Sequence, residues 1–186
     1  MARIRIEQLA SDVAALKGEA LLPECEPEES PFPDMETRVR ILAPGILAVL
    51  LKESDLSDIH TKNLPGSVTI DEEGVAGIPL PEDFLKLVCV RMSDWTRPVT
   101  HITGSEDADS YLQGSRISGI RGNPHRPVVI TDYDASGKPM LKLYTTAKGS
   151  KLQTGLYIPR PVVSDNSIDV PDGLYPRLLK EISSAI

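Results

Sequence analysis

IPLPEDFLKLVCVRMSDW, residues 78–95, decides the fold class. The run is rich in β-formers, and Leu85, Leu87 and Cys89 alternate with Lys86, Val88 and Val90, the two-residue period of a strand. Pro79 and Pro81 have no N–H to give a ladder, so the strand is predicted to begin near Asp83 or Phe84. Cys89 reads as a small buried hydrophobe within it. Upstream, 67–70 and 74–78 flank the acidic turn Asp71-Glu72-Glu73-Gly74, the pattern of a hairpin. Downstream, 127–132, 139–146 and 154–158 read as three more strands, with DASGK (134–138) turning between the first two. Residues 104–126 are polar and glycine-rich, with room for one short helical turn at 107–113, and 164–170 reads as irregular.

Helical periods lie outside this block. Over 4–22, Leu9, Val13, Leu16 and Ala20 make a stripe. Over 36–52, ETRVRILAPGILAVLLK, the predicted buried face is Val39, Leu42, Ile46, Val49 and Leu50, with Pro44 either kinking the helix or starting a new one. Asp172 reads as the cap of a last helix with Leu174, Leu178, Leu179, Ile182 and Ile186 on one face. Strands grouped together rather than alternating with helices predict α+β: a helical N-terminal part, an antiparallel β-sheet middle and a C-terminal helix. At 186 residues the chain has room for one ordinary domain, and a second full one would be cramped. Between the first two helices, PECEPEESPFPD (23–34) holds four prolines, and 19–36 carries seven acids and no base. This stretch reads either as an extended acidic linker or as a surface loop packed on its own domain. On the linker reading, 1–35 is a helix plus acidic Pro-rich linker and 36–186 a single α+β domain.

The formal charge is −7, unevenly spread. Residues 1–84 hold 7 Lys/Arg against 17 Asp/Glu, whereas 85–160 hold 11 against 6. An acidic part joined to a basic one suits head-to-tail contact between copies, and equally two solvated faces of a monomer. Aromatics are only 4%, too few for a base-stacking platform. Cys25 and Cys89 make no disulfide framework, which fits a reducing compartment. Residues 1–10 lack the apolar run of a signal peptide, and no apolar run spans a bilayer, so the expectation is a soluble chain made in the cytoplasm, without membrane contact.

No residue pattern points to catalysis, a cofactor or a metal. His60, His101 and His125 fall in predicted loops, none four residues from another His or from a Cys. There is no G-x-S-x-G elbow, and the acid pairs Glu82-Asp83 and Asp107, Asp109 fall in turns. The glycines of 114–124 lack the G-K-[ST] ending of a phosphate loop, and no helix pattern follows them. What remains is charge: Arg116, Arg121, His125 and Arg126 within eleven residues. Such a loop grips a carboxylate-lined surface, touches DNA phosphates, or is simply solvated.

Five short pieces stand in a particular order: LPEDFL (80–85) leading into a strand, DSYLQG (109–114) before a loop, MLKLY (140–144), LYIP (156–159) and VPDGL (170–174) opening the last helix. In order and spacing they resemble the head-to-tail adaptor proteins of short-tailed bacteriophages, in particular the neck ring proteins of crAss-like phages that infect Bacteroides. The resemblance runs from about residue 36 to the end and does not include the acidic 23–34 stretch. It implies a structural virion protein of the neck and tail, made in the bacterial host cytoplasm. Copies of it would form a ring, typically a dodecamer, that joins the portal to the tail, with DNA passing non-specifically through the lumen. It also implies no reaction and no cofactor. On it, Leu174, Leu178, Ile182 and Ile186 belong to the surface that docks on the portal; Arg116, Arg121 and Arg126, in a basic stretch of an acidic chain with few aromatics, are expected to contact partner proteins or line the lumen. The alternative is a monomeric or dimeric protein-binding module with no virion role.

Overall fold

The computed structural model describes residues 2–18, 34–54, 59–104, 106–115, 117 and 120–186. In chain order the elements are β1 (Ala2–Arg5), α1 (Ile6–Lys17), α2 (Met35–Glu53), β2 (Lys62–Asn63), β3 (Thr69–Ile70), β4 (Val75–Pro79) and β5 (Phe84–Met92). They continue with α3 (Ala108–Leu112), β6 (Val128–Tyr133), β7 (Pro139–Tyr144), β8 (Leu152–Pro159), β9 (Ser167–Val170) and α4 (Tyr175–Ala185). The class is α+β with antiparallel sheets. The chain divides into two compact units, Met1–His60 with Arg160–Ile186, and Thr61–Pro159. The division falls near residues 60 and 160 rather than at residue 35.

In the first unit β1 pairs antiparallel with β9, from Ala2 opposite Val170 to Arg5 opposite Ser167. Residues 164–170, read as irregular, thus contain a strand whose partner lies at the other end of the chain. Ser164 and Ser167 exchange backbone hydrogen bonds of 2.9 Å around Asp165-Asn166, whose φ of 49° and 55° make the primed hairpin turn that Asp and Asn tolerate. Asn166 then joins three elements. Its carbonyl accepts the first N–H of α1, from Ile6, at 2.9 Å. Its Oδ1 accepts from Arg40 of α2 at 2.6 Å, and its Nδ2 donates to Glu36 at 3.3 Å and Glu7 at 3.4 Å.

The first helix is shorter than the predicted 4–22. Gly18 ends it at φ 71°, a left-handed position open to glycine, and its N–H returns to the carbonyls of Ala14 and Ala15. Ile6, Leu9 and Val13 are buried, while Leu16 is exposed. Ala20 and the 23–33 stretch lie outside the described residues. The helix Ile6–Lys17 is not set apart from the first unit, because it packs on both α2 and α4.

Asp34 caps α2 by accepting from the Thr37 N–H at 3.1 Å, and the Thr37 side chain, then that N–H, hold its carboxyl below the usual range. The helix runs through Pro44 without interruption; the missing N–H costs only the partner of the Arg40 carbonyl. Its buried face is Val39, Ala43, Leu47, Leu50 and Leu51, rotated from the predicted one, with Leu42 and Ile46 half-buried and Val49 exposed. This face meets both α1 and α4, and small Ala43 is buried within it.

A single 3₁₀ turn, Asp172–Leu174, precedes α4, so Asp172 lies in that turn and the α-helix starts at Tyr175. Leu174, Leu178 and Ile182 are buried and Ile186 is half-buried, packed in the core with α1 and α2. The stripe read as a docking surface is therefore the unit's own core. An amphipathic terminal helix must bury its apolar face somewhere, and α1 and α2 supply the place. Tyr175 hydrogen-bonds Asp12 of α1; burial, then that contact, raise its hydroxyl pKa.

The second unit holds two antiparallel sheets, ordered β2-β8-β5 and β3-β4-β7-β6. The predicted hairpin forms, with Thr69 opposite Gly77 and Ile70 opposite Ala76, and the Asp71 carboxylate accepts from the N–H groups of Glu73 and Val75 at 2.9 and 2.8 Å. DASGK turns between β6 and β7, where Asp134 accepts from the N–H groups of Ser136 and Lys138 at 2.8 Å. Ile78, Leu141 and Leu143 of one sheet and Leu87, Val90 and Tyr157 of the other share one core with Trp95. The alternation expected along β5 fails after Leu87. Register slips between Phe84 and Lys86, Leu87 and Cys89, and Arg91 and Met92 bury Leu87, Val90 and Met92 and leave Leu85 and Cys89 half-buried.

Tyr157 stacks on Phe84 with ring centroids 5.6 Å apart and donates to Asp83 at 2.7 Å, while Lys62 pairs with the other Asp83 oxygen at 2.7 Å. Lys62 holds the Asp83 carboxyl below its usual range; burial, then Asp83, push the Tyr157 hydroxyl up to about 12. The folded state thus binds this proton more tightly than the unfolded chain. The stability it contributes is complete below pH 10 and lost as pH rises through about 12. In urea denaturation across that window, Tyr157→Phe is expected to flatten the alkaline fall in stability; an unchanged slope would show that this hydroxyl does not carry it.

Candidate functional site

Between β5 and β6 the chain makes an excursion over residues 93–127, in which α3 is the one element among the described residues. It is tied down along its length. Thr103 lies beside Ile130 in a parallel bridge and donates to the Val129 carbonyl at 2.8 Å. Thr96 gives both its N–H and its hydroxyl to the Pro124 carbonyl at 3.0 Å. Asn123 accepts from the N–H groups of His125 and Arg126 at 3.0 and 2.9 Å, closing a turn.

Gln113 is the central anchor. It is buried, its Nε2 donates to the Asp109 carbonyl at 2.6 Å, and its Oε1 accepts from the Gly122 N–H at 2.9 Å. The approach is close: a Cβ at Gly122 would stand 3.1 Å from Val128 Cγ2 and 3.3 Å from both the Arg126 carbonyl and Gln113, so any larger residue must push these neighbours back by a few tenths of an ångström. One side chain thereby clips α3 to the far end of the loop.

What the clipped loop presents is apolar and cationic. Tyr111 is 72% exposed and Ile117 62%, and Leu112 and Ile120 also stand in solvent. Arg121 lines a cavity of about 240 Å³ with Asp71, Glu73, Lys142 and Tyr144. Lys142 is bonded to Asp132, which raises the lysine's pKa and lowers the aspartate's, whereas Arg121 has no ion-pair partner among the described residues. Arg126 is exposed and lies 3.6 Å from Asp109 beside a second cleft of about 320 Å³. An exposed pair of this length is worth little.

Thr145, also on the cavity wall, has φ of 66° and a buried hydroxyl without a partner among the described residues. Its conformation costs about 1–3 kcal/mol. Anchors hold it: its carbonyl accepts from the Trp95 indole at 3.3 Å, and Thr146 gives N–H and hydroxyl to the Gly74 carbonyl at 2.9 and 3.0 Å.

Of the residues singled out from sequence, Arg121 and Arg126 share this loop, Arg116 lies outside the described residues, and Leu174, Leu178, Ile182 and Ile186 belong to the other unit. His60, His101 and His125 are exposed, and no three His, Cys, Asp or Glu side chains cluster as metal ligands among the described residues. No helix among them is long and apolar enough to cross a membrane. Sequence reasoning missed Tyr111, Leu112, Ile117 and Ile120, which follow no helical or strand period; their density in a polar segment was the available signal. No protein-family model and no curated protein matches the chain.

The arrangement suits binding of a surface that is apolar and carboxylate-bearing. It depends on the Gln113 clip. Gln113→Ala leaves the buried Gly122 N–H and Asp109 carbonyl without that partner and is expected to cost about 1–3 kcal/mol in urea denaturation. Hydrogen exchange at the Gly122 amide should accelerate with it; unchanged exchange would mean the loop is held by its other anchors.

Proposed function

We propose that this chain is a non-catalytic structural subunit that assembles into a ring, a head-to-tail connector of a tailed bacteriophage similar to the neck rings of crAss-like phages. In this reading it joins portal to tail, takes no cofactor, and lets DNA pass through the lumen without reading its sequence. The observation that carries it is the anchored loop bearing Tyr111, Leu112, Ile117 and Ile120 in solvent beside Arg121 and Arg126. A ring closes only through heterologous contacts, in which one face of a copy meets a different face of the next. Such a contact needs an apolar patch with a polar rim on an otherwise folded subunit. The order of the sequence pieces between residues 80 and 174 supports the phage assignment in particular.

The test is native mass spectrometry with negative-stain imaging, on the purified chain alone and with a portal protein from the same genome. Rings of the chain, formed spontaneously or on the portal, are the expected result. A chain that stays monomeric or dimeric under both conditions overturns the proposal in favour of a small protein-binding module.

A further inference from the structure

The loop face has a chemical complement within the same sequence. From Ser110 to Thr131 the chain carries Arg116, Arg121 and Arg126 and no acid. Residues 19–36 carry seven acids and no base, together with Leu21, Leu22, Phe32 and four prolines. One segment is acidic and apolar, the other basic and apolar.

We propose that the exposed loop face of one copy is the receptor for residues 19–34 of a second copy. The guanidinium groups of Arg121 and Arg126 take glutamate carboxylates, and the surface of Tyr111, Leu112, Ile117 and Ile120 takes Leu21, Leu22 and Phe32. Charge complementarity selects this occupant: a guanidinium donates two parallel hydrogen bonds to a carboxylate, and opposite fields speed docking. Prolines lower the conformational entropy that such a segment loses on binding. Three acids stand near the arginines. Asp109 makes only the exposed 3.6 Å pair with Arg126, which a second carboxylate displaces at small cost. Asp71 already accepts two backbone N–H groups, and Asp71 and Glu73 share the Arg121 cavity with Lys142.

The trans arrangement rests on the ring reading, since it names what the loop meets when copies join. The test uses full-length chains with reversed charges: Glu24→Lys, Glu26→Lys, Glu28→Lys and Glu29→Lys in one, Arg121→Glu and Arg126→Glu in the other. Each alone is expected to lose self-association in sedimentation velocity by about tenfold or more. An equimolar mixture should regain it, because every acidic segment then faces a basic loop and every basic segment an acidic loop. A mixture that stays dispersed, while one chain carrying all six reversals assembles, places the segment on its own loop and overturns the proposal.

A second measurement is independent of rings. A fluorescein-labelled peptide of residues 19–36 should bind the segment-reversed chain in fluorescence anisotropy. Binding should be lost on adding Arg121→Glu with Arg126→Glu, and also on adding the charge-neutral pair Tyr111→Ser with Ile117→Ser, thermal melts confirming that each variant is folded. Peptide binding by a chain that forms no ring keeps this receptor and discards the ring. Rings indifferent to both sets of reversals keep the ring and discard the receptor.

Discussion

Burial of the α4 stripe against α1 and α2 is the contact on which the first unit depends. Helices of 12 and 11 residues, the lengths of α1 and α4, are marginal in isolation. They persist because Leu9 and Val13 on one side and Leu178 and Ile182 on the other enter one core with Val39, Ala43 and Leu47. Each fully buried Leu, Ile or Val contributes about 1.5–3 kcal/mol. Asn166 adds direction to this otherwise non-directional term, since its carbonyl starts α1 while its side chain bridges Glu36 and Arg40 of α2. The chain leaves this unit near residue 60 and returns near residue 160, so its first and last elements complete each other.

That constraint bears on function. A stripe consumed as internal core is not free to dock on a portal, so the contact surface must be sought elsewhere on the chain. The second unit offers one in the loop over residues 108–126, where apolar side chains stand in solvent although Gln113, Asn123 and Thr96 hold the backbone in place. An anchored loop presents its surface already ordered, which reduces the entropy lost on association.

How much of this could be read from the sequence follows from the range of each interaction. The middle strands were legible because a two-residue period and the turns at Asp71 and Asp134 are local. The pairing of β1 with β9 joins residues more than 160 positions apart, and neither four-residue strand announces its partner. The slips in β5 depend on β8, so Cys89 could not be placed from its own neighbours. The buried face of α2 includes Ala43, which a count of large apolar side chains passes over. The arginines of the loop were visible as a cluster, whereas the apolar side chains beside them showed no period and gained meaning only once seen exposed.

Native-state hydrogen exchange in Leu178→Ala tests most directly whether both chain ends form one core. The cavity left by this substitution costs about 2–5 kcal/mol. If the core is shared, amides of Ile6–Lys17 and Met35–Glu53 lose protection together with those of Tyr175–Ala185. Loss confined to Tyr175–Ala185, with the two N-terminal helices as protected as before, would contradict it and return the C-terminal helix to the candidates for a docking surface.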